Sequence, residues 1–461
     1  MTFALYFGNR GFFPGELIAS AREEMTEAVK KAGHDFILMD ESLTRYGAVE
    51  TVAEGKKYAA FLEENRSKFE GVILCLPNFG DENGAISALR DANVPILVQA
   101  YPDELGKMDF DSRRDSFCGK LSIMDVFYQY GVKYTAFKPH TIHPLDPRFI
   151  EQIKEFARVC RITNKMKRFS IGAIGARTTA FKTVRYDELT LQKYGITVEA
   201  LDLTELYSRV NKMDESRIAS KAEALRNFTN FSCVPNDKVD TLAKISLAID
   251  DIIKDYNLDC IALRCWEELE KDYGVSPCVL LGELNDRMIP AACELDVCNA
   301  VTMLALSEAS LCASTCLDWN NNYEDDENKC ILFHCGPVPQ SLMTEKGNVI
   351  DHKMFSKSFG KGCGFGANEG IIKPMEMTFA SSRTENGKLY TYLGKGTFTE
   401  DKFDKEFFGC GGVALIDNLQ DVMQHVGKNG YRHHVSVTEG NVYSAMKEAF
   451  ENYLGYELHA F

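Results

Sequence analysis

Two acidic residues stand where apolar runs end. Residues 288–293 lead into Glu294, residues 311–317 lead into Asp318, and an apparent helix at 300–309 separates them. Short apolar runs of this kind read as strands, and open α/β sheets bind ligands outside the carboxyl ends of their strands. An acid met singly is most often a solvated surface group or a helix cap. Two at matched strand ends suit proton transfer or the holding of a hard cation. Further along, Arg432-His433-His434-Val435 follows a glycine-bounded turn at 427–430. An imidazole from this pair completes a mixed carboxylate and nitrogen set, which favours Mn²⁺, Co²⁺ or Mg²⁺ over a thiolate-seeking ion. Composition alone does not join the three segments.

Folded elements must bring them together. At 461 residues the chain exceeds what one core holds, since cores stop growing near roughly 250–300 residues. The first third alternates short apolar runs (3–7, 36–39, 71–76, 95–100) with amphipathic stretches (16–32, 52–65, 83–91), the rhythm of βαβ units and a parallel sheet. A basic segment at 165–168 precedes a second such series: runs at 169–174, 196–201 and 260–263 with a helix at 237–256. After about residue 340 the character changes. Residues 360–370 are glycine-rich, 371–379 and 388–393 read as strands around a hairpin turn at Glu385-Asn386-Gly387, and 442–453 reads as a closing helix. The expected organisation is therefore two Rossmann-like α/β domains, 1–166 and 167–340, then a β-rich domain at 341–461.

Hydrophobic residues make up 45% and charged residues 26%, as in a folded globular chain, and the net charge of -15 repels polyanions. Nucleic acid and membrane partners are not expected: no stretch reaches the ~18 apolar residues of a membrane span, and no basic leader precedes the first apolar run. A cytoplasmic location is expected. The 15 cysteines are odd in number and contain no C-x-x-C pair, Cys312 with Cys316 and Cys293 with Cys298 being the nearest approaches, so they read as reduced thiols that fill the core. His140 and His143, flanked by Pro139 and Pro144, read as an extended loop. Gly172 and Gly175 read as a tight strand-to-helix turn rather than a dinucleotide fingerprint. Arg10, after the first strand, stands where a cation reaches an anionic ligand group, although a plain surface arginine is the commoner case.

Several ordered segments resemble the L-fucose and L-arabinose isomerase superfamily: Cys265-Trp-Glu-Glu-Leu269, Pro290-Ala-Ala-Cys-Glu-Leu-Asp296, Leu317-Asp-Trp-Asn-Asn-Asn-Tyr323, Phe333-His-Cys-Gly336 and His433-His434. Ile174-Gly-Ala-Arg177 and Val184-Arg-Tyr-Asp-Glu188 extend the likeness. The resemblance implies two α/β domains followed by a β-barrel-like C-terminal domain, and a divalent ion, Mn²⁺ before Co²⁺ or Mg²⁺. Glu294, Asp318 and His434 would hold it, His434 being the second of its pair, and the two carboxylates would also exchange protons with substrate. The implied reaction is aldose–ketose isomerisation of a free monosaccharide through an enediolate.

By the same resemblance His334 lies near the ion, since the arabinose branch has a further histidine in that region, and Trp266, Trp319 and Asn320 fall in motif segments that contact sugar. The chain is shorter than a typical L-fucose isomerase, and its motifs read CELD and DWNNNY. Sulfoquinovose therefore stands beside L-fucose and L-arabinose as a candidate substrate, with Arg10 or Arg177 suited to a sulfonate. A homo-oligomer, hexameric or smaller, is also implied. The competing readings are a metal-dependent sugar aldolase or dehydratase, which stabilises the same enediolate, and a non-catalytic sugar-binding protein, which two α/β lobes also build.

Overall fold

The computed structural model describes residues 1–404 and 407–461. The chain forms two compact units, Met1–Asn164 with Glu448–Gly455, and Lys165–Lys447 with Tyr456–Phe461. In the first, strands β1 (Thr2–Phe7), β2 (Asp35–Leu38), β3 (Gly71–Leu76) and β4 (Ile96–Ala100) form a parallel sheet in the order β2-β1-β3-β4. Every residue of β3 and β4 is buried, which explains why those strands read as unbroken apolar runs rather than alternating ones. The helix Leu17–Lys31 buries Ile18, Ala21, Met25, Ala28 and Val29, one stripe at helical spacing. Near the end of the chain, Glu448 accepts from Thr135 Oγ1 at 2.8 Å and Asn452 Nδ2 donates to the Tyr134 carbonyl at 2.6 Å.

The second unit contains a parallel sheet of β5 (Phe169–Ile174), β6 (Ile196–Leu201), β7 (Cys260–Leu263) and β8 (Ala291–Ala292), ordered β6-β5-β7-β8. It also contains a nine-stranded mixed sheet: β9 (Ser314–Asn322), β10 (Lys329–His334), β11 (Asn348–Asp351), β12 (Phe365–Ile371), β13 (Met375–Glu385), β14 (Lys388–Phe398), β15 (Cys410–Leu415), β16 (His434–Glu439) and β17 (Glu457–Ala460). The order is β11-β12-β15-β10-β9-β16-β13-β14-β17, and β14 pairs a second time with β15. The expected hairpin joins β13 to β14, with Asn386 and Gly387 at φ 51° and 71°, the paired left-handed residues that match strand twist. Two parallel sheets and a large mixed sheet make the fold a mixed α/β one, as the alternation and the later β-rich pattern led us to expect. Among the described residues no helix is long and apolar enough to cross a membrane.

Period-two alternation along β16 decides what the fold does with its histidine. Val435 and Val437 are fully buried in the core cluster that includes Leu317, each contributing roughly 1.5–3 kcal/mol of burial. His434, Ser436 and Thr438 take the other face, where Ser436 Oγ donates to Asn299 Oδ1 at 2.9 Å on the helix Val297–Ser310. A one-residue slip would send His434 into the apolar core. The antiparallel register with β9 sets His434 opposite Asp318 and Val435 opposite Leu317.

One expectation needs correction. Asp318 is not at a strand end. Leu311 caps the preceding helix in a left-handed conformation, and β9 then runs from Ser314 through Asn322, because Trp319, Asn321 and Asn322 pair with Leu332, Ile331 and Cys330 of β10. The register shifts between Ile331 and Leu332, which leaves Asn320 as the extra residue of a bulge, a device that re-aims side chains beside active sites. The run at 288–293 is a strand only at Ala291–Ala292.

Leu317, fully buried beside Asp318, tests the apolar support of the site. Leu317→Ala is expected to lower stability by about 2–5 kcal/mol in urea unfolding. A change within roughly 0.5 kcal/mol, the size of a surface substitution, would show that this contact does not hold β9.

Candidate active site

Three elements deliver side chains to one place. β9 and β16 supply Asp318 and His434 as a directly opposed pair, and Glu294 arrives from two residues beyond β8. Glu294 and Leu295 both adopt left-handed φ values, 58° and 61°, uncommon for residues with a Cβ and a form of local strain seen at functional sites. The turn is held by Leu295 N–H donating to the Leu263 carbonyl at 3.1 Å and Asp296 N–H donating to Cys293 O at 3.0 Å. His434 Nε2 then lies 3.3 Å from Glu294 Oε2 and 3.4 Å from Asp318 Oδ1, and His433 Nε2 lies 3.9 and 3.6 Å from carboxylate oxygens of the same two residues. His334, at the end of β10, has its ring centroid 5.6 Å from that of His434.

Asp296, absent from the expected ligand set, organises the site. The residue is fully buried; Oδ1 accepts from Arg432 Nη1 at 2.7 Å and from Asn299 N–H at 3.1 Å, while Oδ2 accepts from Asn299 Nδ2 at 2.6 Å and lies 2.8 Å from His434 Nδ1. Burial alone would raise this carboxyl, but Arg432 and His434 hold it down at about 2. With Nδ1–H given to Asp296, His434 in its neutral form presents a bare lone pair at Nε2, the arrangement by which outer carboxylates orient metal-binding histidines. A sequence signal for Asp296 and Arg432 existed: both adjoin residues already singled out, in Glu294-Leu-Asp296 and Arg432-His-His434.

Four side-chain atoms at this point, Glu294 Oε2, Asp318 Oδ1, His434 Nε2 and His334 Nε2, are buried without a hydrogen-bond partner. Cys335 N–H donates to His334 Nδ1 at 2.9 Å, so neutral His334 carries its proton on Nε2 and offers a donor there. The other three atoms are acceptors facing one another, which is unfavourable unless something positive lies between them. Burial is the main reason Asp318 is raised, and His434, which burial alone would lower, is held well above its usual range by Cys316, Asp296 and Glu294. Two carboxylate oxygens and one imidazole nitrogen suit a divalent cation of the Mn²⁺, Co²⁺ or Mg²⁺ type, so the residues present fit such an ion. His433, lowered to about 4 by burial and by His434, stays neutral at ordinary pH.

A cavity of about 580 Å³ opens on these groups, within the ordinary size of a small-molecule site. Its walls include Glu294, Asp318, His433, His334, Asn320 and Trp266. Phe333, from the Phe333-His-Cys-Gly336 motif, completes an apolar side with Phe181, Met354, Phe407 and Phe408, which no motif had signalled. Trp319 is not part of it: its Nε1 donates to Tyr392 OH at 3.1 Å and its ring stands edge-on to Phe379 in the sheet core. Arg177 does not line it either, its Nη1 donating to the Thr178 carbonyl at 3.0 Å. Arg10 belongs to the first unit, where Nε donates to the Gly80 carbonyl at 2.9 Å and the guanidinium lies over Phe79.

Comparison with known proteins gives this geometry a context. Residues 4–167 match the family described as fucose/sulfoquinovose isomerase, N-terminal domain, and residues 332–460 match the L-fucose isomerase C-terminal domain. The chain is 22% identical over 393 residues to a sulfoquinovose isomerase of Alkalicoccus urumqiensis, covering 84% of this chain and 86% of that protein. It is 23% identical over 382 residues, 82% of each chain, to a sulfoquinovose isomerase of Priestia megaterium. A third protein of that name, from a Clostridium species, is 24% identical over 306 residues, 65% of this chain and 66% of its own.

Replacing Asp296 by Asn leaves Arg432 as a buried charge without its counterion, which costs about 3–5 kcal/mol when one partner of a buried pair is lost. Urea unfolding in chelator is the measurement. Because the folded carboxyl sits at about 2 against an ordinary 3.8, its contribution is present above about pH 4 and lost as pH falls toward 2. The gap between the unsubstituted protein and Asp296→Asn should therefore narrow on acidification; a gap that widens contradicts the assignment.

Proposed function

We propose, from the premise that this chain belongs to the fucose/sulfoquinovose isomerase family and is an aldose–ketose isomerase, that the reaction takes place at Glu294, Asp318 and His434 with a divalent ion, Mn²⁺ first, and passes through an enediolate. The observation that carries this reading is the convergence of three partnerless buried acceptors, one per element. Glu294, Asp318 and His434 would hold the ion, which would supply positive charge to the oxygens that become anionic as the C2–H bond breaks.

The side chains divide the remaining work. One carboxylate takes the C2 proton and the acid so formed returns a proton to C1, while the hydroxyl proton passes from O2 to O1, so that the sugar changes neither mass nor charge. Burial raises Asp318, which brings its proton affinity closer to that of a useful base near neutrality. His334 Nε2–H donates to a sugar oxygen, Asn320 projects from its bulge into the cavity, and Trp266 with Phe181 offers aromatic surface to sugar C–H bonds. The second pairing of β14 with β15 fits the barrel-like C-terminal fold implied by the family, and a cytoplasmic homo-oligomer is carried over as part of the same reading.

Sulfoquinovose leads the candidate substrates because the relatives bear that name, with L-fucose and L-arabinose behind it. No arginine or lysine is among the described residues of the cavity wall, so a sulfonate would draw its counter-charge from outside that wall, Arg10 or Arg177 in our reading. Two measurements test these statements. Chelator-treated protein given Mn²⁺ and a panel of aldoses should form ketose without cleavage or dehydration, and Glu294→Gln and Asp318→Asn should each lose solvent exchange at C2 by about 10²-fold or more; exchange retained in both removes the carboxylates from the mechanism. Arg10→Met with Arg177→Met should lower kcat/KM for sulfoquinovose and spare uncharged aldoses, and equal behaviour toward both kinds of sugar ends the arginine reading.

A further inference from the structure

Behind the wall of the cavity lies a second set of donor atoms that the isomerase reading does not use. Cys278, Cys335 and His352 are buried, and their sulfur and ring-nitrogen atoms lie within 4.8 Å of one another. They come from three separate elements. Cys278 is the first residue of the helix Cys278–Asp286, Cys335 follows β10, and His352 follows β11. Both ring nitrogens of His352 are buried without a hydrogen-bond partner, although the ring is gripped between Phe355 and Phe408, with centroids 4.3 and 5.6 Å away. A fully buried imidazole with neither nitrogen satisfied is costly.

The backbone is shaped for this approach. Gly336, at φ 139°, lets the chain after Cys335 run close to Cys278: a Cβ there would meet Cys278 Cβ at 3.2 Å and the Asn368 amide nitrogen at 2.6 Å. His352 is fixed by its own N–H, which donates to the Gly364 carbonyl at 2.9 Å.

We propose that Cys278, Cys335 and His352 form a second metal site, selective for a thiolate-favouring divalent cation of the Zn²⁺ class. Two thiolates and one neutral imidazole match the charge of such an ion, so the occupied site is electrically neutral, as a buried site requires. In tetrahedral coordination these donors stand about 3.5–3.8 Å apart, within reach of their positions here, and the fourth position stays open. Two thiol protons leave as the ion enters. Entry is through the cavity, because Cys335 is part of its wall. The bound ion ties the end of β10 to the neighbouring helix and holds His334, the residue before Cys335, in place.

Reduced, chelator-treated full-length protein titrated with Co²⁺ gives a direct test, because thiolate-to-cobalt charge transfer absorbs in the near ultraviolet and a carboxylate and imidazole site has no such band. The expected result is a saturable thiolate band, uptake of a second equivalent of Co²⁺, proton release, and bleaching of the band by one equivalent of Zn²⁺. Cys278→Ser and Cys335→Ser should abolish the band. Cys293→Ser and Cys316→Ser, which alter other buried thiols of the same region, should keep it. Absence of the band in the unsubstituted chain overturns the proposal without reference to any variant's folding. So does a band that survives in Cys278→Ser and Cys335→Ser, or one lost equally in Cys293→Ser or Cys316→Ser.

Discussion

Asp296 has no contact with solvent, and its two oxygens are divided among Arg432, His434, the Asn299 amide and the Asn299 carboxamide. A buried carboxylate is stable only when its lone pairs are met with good geometry, so each of these partners is constrained by the others. The constraint reaches in three directions. Asp296 caps the helix Val297–Ser310, which contacts strands of both sheets of the second unit. It lies two residues after Glu294, so the strained turn at Glu294 and Leu295 ends on a fixed point. It also orients His434, and with it the nitrogen that faces Glu294 and Asp318. Removing this one carboxylate would loosen a helix cap, a turn and an imidazole together.

What Asp296 stabilises is a neighbouring region that is not satisfied in itself. Glu294, Asp318, His334 and His434 each keep a buried polar atom without a partner, and Glu294 does so from a left-handed backbone. Such features cost stability and persist only where the surroundings over-determine them. Here the surroundings are the pairing of β9 with β16, the apolar layer of Leu317, Val435 and Val437 behind it, and the Asp296 network in front. The site is held rigid by groups that do not belong to it, which is the condition for preorganised charge.

Much of this was legible in the residues. Periodicity located most strands and helices, because a strand buried on both faces and a helix buried on one stripe leave different spacings in the chain. The three site residues were visible as types, but only family likeness joined them, since nothing local to residue 318 reveals a cross-strand partner at residue 434. The expectation that Asp318 ends a strand failed for a similar reason: the continuation through Asn322 depends on β10, which follows later. Asp296 stood in the sequence only as the last residue of a motif, and its helix-capping role appears in the fold. The apolar wall of Phe181, Met354, Phe407 and Phe408 carried no signal, because aromatic residues in sequence look the same whether they fill a core or line a cavity. The cysteines read as reduced thiols that fill the core, and they are free and mostly buried; what spacing does not reveal is that Cys278, Cys335 and His352 meet through three distant segments.

His334 and Cys335 set two kinds of chemistry side by side at the end of one strand. The ring of His334 is turned toward carboxylates and an imidazole, and the sulfur of Cys335 toward another thiol and another imidazole. Oxygen-rich and sulfur-rich sets prefer different ions, and affinity rises toward the later divalent metals for almost any donor set. A lone carboxylate site in a cell is therefore exposed to capture by zinc. A sulfur site on the same cavity would bind zinc more tightly than carboxylates do, so on our proposal the two donor sets would prefer different ions. On that proposal the adjacency of His334 and Cys335 would set a hard and a soft donor set side by side, with the softness of the donors, rather than the size of the cavity, setting which ion each prefers.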